Sequence, residues 1–389
     1  MSIATPSKRI LSIDILRGII MIIMALDHTR DFFSDFRKFD PLDLQHANTF
    51  MFFTRWITHF CAPVFVFLAG TSVFLSLSRG KTKKQMAWQL LTRGLWLVIL
   101  EVTIVRFGWA FNFDYHLIFL QVIWAIGCSM IVLSLLIFLP RQVILFIALT
   151  LIFGHNYFDK KHAADLGMNE MFWDFLHVQT RVSFDKAYGA FIIYPLIPWI
   201  GVMAAGYCFG AIFKKEEKLR NQWLYGIGIG AILLFILLRF INQYGDPNPW
   251  RVQNNGTTIL SFLKCAKYPP SLLYLLMTLG PAITLLPILE KISGKAANFF
   301  LVYGRVPMFY YILHIYIIHG LALITGIILG MPTKIFTSNG TLFDPNLKWG
   351  FSLPVVYLYW IATILILYYP CRWFMRVKAT NKKWWLSYL

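Results

Sequence analysis

The sequence predicts an all-α fold: a polytopic membrane bundle of about ten transmembrane helices with both termini in the cytoplasm. Three observations carry that prediction. The 389 residues are 58% hydrophobic and only 14% charged, whereas soluble domains run at about 45–50% apolar and about 25% charged. Mean hydropathy is +0.61. Apolar runs of about 20 residues, the length that crosses a bilayer, recur along the chain. Between them, clusters of Lys and Arg alternate with loops of mixed sign. No Pro/Gly/Ser-rich linker divides the runs, so 1–389 reads as one integral membrane domain.

The first run, 10–28, is interrupted by Asp14 and Arg17 and has no small-residue cleavage site after it, so it is expected to stay in the protein. The second, 56–78, lies between Arg55 and Arg79, and Pro63 is expected to bend it and free a carbonyl. The third, 85–108, follows Lys83 and Lys84 and carries Glu101 and Arg106. The fourth, 116–139, stops at Pro140, and the fifth, 142–157, is short. The sixth, 188–213, ends at Lys214; the seventh, 222–241, follows Arg220; the eighth, 270–289, ends at Glu290. The ninth, 299–330, is long enough to tilt or break, and the tenth, 351–370, ends at Pro370.

Lys8/Arg9, Arg79/Lys81/Lys83/Lys84, Arg141, Lys214/Lys215/Lys218/Arg220, Lys291/Lys295 and Arg372–Lys383 fall on one side of this arrangement, which the positive-inside rule assigns to the cytoplasm. The reading is a multi-pass protein of the cell (inner) membrane. The 36 Lys and Arg against 18 Asp and Glu, a net +18, are assigned to these loops and to membrane lipid headgroups rather than to nucleic acid. Three long loops on the other side, 29–55, 158–187 and 242–269, are rich in Trp, Phe, Asn and Tyr; they suit either a cap over an outward-facing site or an interfacial aromatic belt. The five cysteines are scattered without CxxC spacing, so neither a disulfide framework nor a zinc site is predicted.

Ionisable side chains inside spans are costly and mark function or pairing. Arg17 and His28 are eleven residues apart, which returns to within about 20° on a helix and separates them by about 16 Å along the axis. Arg17 then lies toward the cytosol and His28 toward the outer half, with Asp14 one turn before Arg17; an Asp14–Arg17 ion pair is the structural alternative. Arg55 and His59, i and i+4, share a face at the depth of His28. His314 and His319 follow Arg305 and are turned about 140° apart, a poor arrangement for a joint site. Glu101 and Arg106 read first as a buried ion pair.

Asp14–Ile15–Leu16–Arg17–Gly18 followed by His28 resembles the first-helix motif of the transmembrane acyltransferase superfamily. The stretches Thr54–Gly70, Tyr194–Gly201, Tyr268–Tyr274 and Gly304–His319 are more similar to the bacterial relatives of heparan-alpha-glucosaminide N-acetyltransferase. The resemblance implies acetyl-CoA as co-substrate, no tightly bound cofactor, and a sugar or glycan acceptor across the membrane. The eukaryotic enzyme has Asn where this chain has His28, with its catalytic His in the next loop, so His28, His59 and His46 all stand as bases.

Acyl transfer needs a base for the acceptor proton and donors for the thioester oxyanion. The three histidines fill the first role at neutral pH. Arg17, Asp14 and Arg305 are assigned to the CoA end, and Arg30, Arg55, Trp250 and His314 to the acceptor end. No P-loop, GxSxG or GxGxxG is present. A transporter or flippase for an envelope glycan or lipid intermediate, using the same ionisable residues as an ion path, is the alternative, and a non-catalytic membrane partner a weaker one. Nothing in the sequence selects an oligomeric state.

Overall fold

The structure, a computed structural model, describes residues 10–35, 41–43, 48–253, 256–340, 344, 346–381 and 383–388. It is mostly helical, at 72%. In chain order the helices are α1 (Leu11–Phe33), α2 (Thr49–Thr58), α3 (Cys61–Leu77), α4 (Lys83–Leu100), α5 (Arg106–Ala110), α6 (Val122–Leu136), α7 (Arg141–Gly154), α8 (Glu170–His177), α9 (Leu196–Phe209), α10 (Glu217–Ile241), α11 (Thr258–Leu263), α12 (Leu272–Leu289), α13 (Gly294–Gly304), α14 (Pro307–Ile328), α15 (Lys334–Thr337) and α16 (Leu353–Thr380). Seven helical stretches among the described residues are long and apolar enough to cross a membrane: Thr49–Leu77, Arg141–Phe158, Leu196–Lys214, Glu217–Ile241, Leu272–Leu289, Pro307–Ile328 and Leu353–Thr380.

Helix α1 carries Asp14, Arg17, Asp27, Arg30 and Asp31, too many charges for that set, yet it is the centre of the bundle. It packs against α2, α3, α12, α13, α14 and α16. Its crossing with α13 needs two glycines: a Cβ on Gly304 would lie 1.8 Å from the Asp14 carbonyl oxygen, and one on Gly18 would lie 2.0 Å from that of Phe300. Small residues let membrane helices approach this closely.

Two helix breaks position the site. In the second predicted span, α2 stops at Thr58 and α3 starts at Cys61. Pro63 has no N–H for the carbonyl of His59, and the Tyr274 hydroxyl donates to that carbonyl instead, at 2.7 Å. The ninth span breaks at Arg305–Val306, where α13 ends and Pro307 opens α14.

The all-α expectation is corrected by a small sheet, in strand order β1-β3-β2. β1 (Leu117–Leu120) pairs in parallel with β3 (Gly189–Ile192), and β2 (Thr180–Ser183) pairs with β3 in the antiparallel sense. The fourth and sixth predicted spans therefore begin as strands and turn helical only at Val122 and Leu196. Short apolar runs such as Leu117–Ile118–Phe119–Leu120 suit either state, and periodicity does not separate them.

Candidate active site

One end of α1 opens on a cavity of about 520 Å³. Arg17, Arg79, Arg93, Arg305 and Lys378 line it, with Asp14 as the acidic residue among them. The Arg17 guanidinium donates to Asp14 Oδ1 at 3.0 Å, to Ser72 Oγ at 3.0 Å and to the Gly304 carbonyl at 3.3 Å. The last contact exists because Gly304 lets α13 approach α1. A water-accessible pocket with five cations and one carboxylate suits a polyanion, and guanidinium groups match phosphate geometry.

Toward the other end of α1, His28 Nδ1 lies 2.7 Å from His314 Nε2 of α14. His314 Nδ1 lies 3.1 Å from the Tyr310 carbonyl oxygen, which can only accept, so this nitrogen carries the proton. Neutral His314 then presents a lone pair at Nε2, and His28 donates to it from Nδ1. That leaves the lone pair of His28 at Nε2, the form a general base needs. Trp109 meets the His28 ring edge-on at 4.9 Å, and Tyr310 stacks on His314 at 5.4 Å. Tyr311 joins the two regions: it lines the cavity, and its ring stands 5.4 Å from that of His314.

Beside His28, Asp27 gathers three cations. Arg55 Nη1 donates to both its oxygens at 2.7 and 2.8 Å, Arg30 Nη2 lies 2.8 Å from Oδ1, Lys267 Nζ lies 3.8 Å from Oδ2, and the Thr58 hydroxyl donates at 2.9 Å. Asp31 takes a second contact from Arg30 at 2.6 Å. Lys267 is held in place from the loop before α12, where Asp246 accepts from the Ala266 N–H and the Ser271 hydroxyl. Burial raises the Asp246 carboxyl above its ordinary range, against the opposing pull of those hydrogen bonds.

The structure thus brings Asp14, Arg17 and Arg305 together on the cavity, and His28, His314, Arg30 and Arg55 together at the far end of α1. Arg30 and Arg55 are engaged by Asp27 rather than directed at open space. His59 is buried, its ring 5.2 Å from that of Tyr274 and both its nitrogens without a protein partner. Trp250 stands apart from this cluster: its indole donates to the Arg239 carbonyl at 2.7 Å, and its ring packs on Phe262. His46 lies outside the described residues. His319 turns away from His314, toward the carbonyls of Gly108 and Phe336. Glu101 and Arg106 do not pair; Glu101 accepts from the Trp124 N–H at 2.9 Å, and Arg106 bonds the carbonyls of Asn112 and Asp114. Sequence reasoning gave no role to Asp27, Lys267 or Tyr311.

A membrane bundle with a basic cavity, one of whose lining residues, Tyr311, packs on a histidine pair, has the parts of a membrane acyltransferase. Residues 9–239 match the family model described as heparan-alpha-glucosaminide N-acetyltransferase, catalytic. The chain belongs to that family, as the stretches Thr54–Gly70, Tyr194–Gly201, Tyr268–Tyr274 and Gly304–His319 imply. The match takes in Asp14, Arg17, His28, Arg55 and His59, while Lys267, Arg305 and His314 lie beyond it. No curated protein matches the chain.

Proposed function

We propose that this protein transfers an acetyl group from cytosolic acetyl-CoA to a hydroxyl or amine of a sugar or glycan on the outer side of the cell (inner) membrane. The observation that carries the reading is the contact of Tyr311, which lines the basic cavity, with His314 of the His28–His314 pair. CoA phosphates meet Arg17, Arg79, Arg93, Arg305 and Lys378, and the thioester extends past Tyr311. His28 Nε2 takes the proton of the acceptor as its oxygen or nitrogen bonds to the thioester carbonyl carbon. The C–S bond breaks, and the protonated His28 returns its proton to the CoA sulfur, giving acetylated acceptor and CoA. His314 holds the His28 ring and stabilises its charged form. The same His28 lone pair serves an acyl-imidazole route, which acetyl exchange between acetyl-CoA and labelled CoA without acceptor distinguishes.

The chain acts as a single domain, 1–389, with about ten spans and both termini in the cytoplasm, a topology supported by the charge alternation. Arg79 and Lys378 belong to the basic segments assigned to the cytoplasm, so the cavity mouth faces the donor. Family membership weighs against the transporter reading. The test uses sealed right-side-out vesicles: acetyl-CoA loaded inside supports transfer with product outside, and externally added acetyl-CoA does not. Efficient transfer from outside would overturn the sidedness, and counterflow without acetylated product would overturn the enzyme.

A further inference from the structure

Away from the histidine pair, a second group of ligating side chains closes on itself. His155 begins the 3₁₀ turn His155–Phe158 after α7, Asp159 follows it, and His177 comes back on the last turn of α8. One ligand atom from each lies within 4.8 Å of the others, and His177 Nε2 is 3.2 Å from Asp159 Oδ1. His155 and His177 are 1% and 3% exposed. Both nitrogens of His155 and Nδ1 of His177 are buried with no protein partner. Buried polar atoms are almost always satisfied, so a histidine with both nitrogens unpartnered, one ligand atom of each residue lying within 4.8 Å of the others, points to a ligand.

We propose that His155, Asp159 and His177 bind one divalent transition-metal ion of the zinc class. Two imidazoles and a carboxylate suit zinc and its neighbours, whereas calcium and magnesium take oxygen donors. Tetrahedral zinc with ligands at about 2.0–2.2 Å sets its donors about 3.4 Å apart, so small side-chain rotations close the triangle and leave a fourth position for water. The shell behind the ligands is built: Asn156 Nδ2 donates to Asp159 Oδ2 at 2.8 Å, fixing the carboxylate, and Asn156 Oδ1 accepts from the Leu272 N–H at 2.8 Å. Such outer contacts orient metal ligands. Trp173 covers His177 with ring centroids 5.0 Å apart. The ion ties the end of α7 to α8 and, through Asn156, to the start of α12, whose Tyr274 holds the His59 carbonyl. It shares no residue with the basic cavity or the His28–His314 pair, so it stands independently of the transfer reaction.

The test is metal content. Full-length protein purified in detergent without a polyhistidine tag is stripped with chelator, equilibrated with zinc chloride and desalted. About one zinc per chain is expected by mass spectrometry, the ratio of a single three-ligand site. His155→Ala and His177→Ala are expected to abolish retention, and Asn156→Ala to weaken it about tenfold or more. Cobalt bound to the unmodified protein supplies a measurement independent of variant folding: visible d–d bands that vanish with chelator support the site. Folded unmodified protein that retains neither zinc nor cobalt overturns the proposal, as does full retention in a folded His155→Ala/His177→Ala variant.

Discussion

His28 and His314, on α1 and α14, share a proton through a 2.7 Å contact between Nδ1 and Nε2. Because the Tyr310 carbonyl claims the other nitrogen of His314, the chain of donors runs in one direction and ends at a basic nitrogen on His28.

His28→Ala is therefore expected to lower kcat for acetyl transfer by about 10²–10⁴-fold, the range of a lost general base, with folding intact. His314 is a positioning residue. Its Gln variant keeps an acceptor for His28 and is expected to retain more activity than His314→Leu, with KM for acetyl-CoA unchanged in both. Steady-state kinetics check this order; near-normal turnover in His28→Ala would move the base role to His59.

The cavity should respond in binding. Removing one guanidinium, in Arg93→Ala or Arg305→Ala, is expected to raise KM for acetyl-CoA about tenfold or more, a charge-assisted hydrogen bond contributing about 1.5–3 kcal/mol. Arg17→Lys keeps the charge and loses the planar fork, so it should weaken CoA binding less than Arg17→Ala. Equilibrium binding of CoA together with KM and kcat separates these effects from chemistry.

Asp27→Asn leaves Arg55, Arg30 and Lys267 facing one another in a buried site. Removing one partner of such a network costs about 3–5 kcal/mol, and a lower midpoint of thermal unfolding in detergent is expected. Adding Arg55→Gln should recover part of the loss, because it removes one of the stranded charges.

Gly304→Ala places a methyl group 1.8 Å from the Asp14 carbonyl oxygen, and α1 and α13 cannot both stay where they are. The yield of monodisperse protein on size exclusion is expected to collapse. Gly226→Ala is the control: nothing lies within 4 Å of its Cβ position on α10, and Ala there is expected to be neutral or to stabilise by up to about 1 kcal/mol.

The helices and their breaks were legible because each follows from local composition: apolar length, Pro63, and the Arg305–Val306–Pro307 interruption. His28 stood out for the same reason, as an ionisable group in an apolar run. The strands at 117–120 and 189–192 were hidden because their side chains suit a helix equally well. Lys267 lies within the predicted loop 242–269, and nothing near it in sequence reports that it is 8% exposed and paired with Asp27. The spacing His155-x₃-Asp159 was visible, but its third member arrives on another helix.

The position of α1 has a consequence for biogenesis. Among the described elements it precedes in chain order every helix it packs on, and charged side chains each oppose partition into lipid by about 2.5–3.5 kcal/mol near mid-membrane. Its partners for those charges include Ser72, Lys267 and Gly304, and it packs on helices as late as α16. Lodging of α1 between lipids is thus disfavoured until the last third of the chain has followed it. A chain ending before α12 is expected to leave α1 open to protease or to hold it at the translocation machinery, and the full-length chain to protect it.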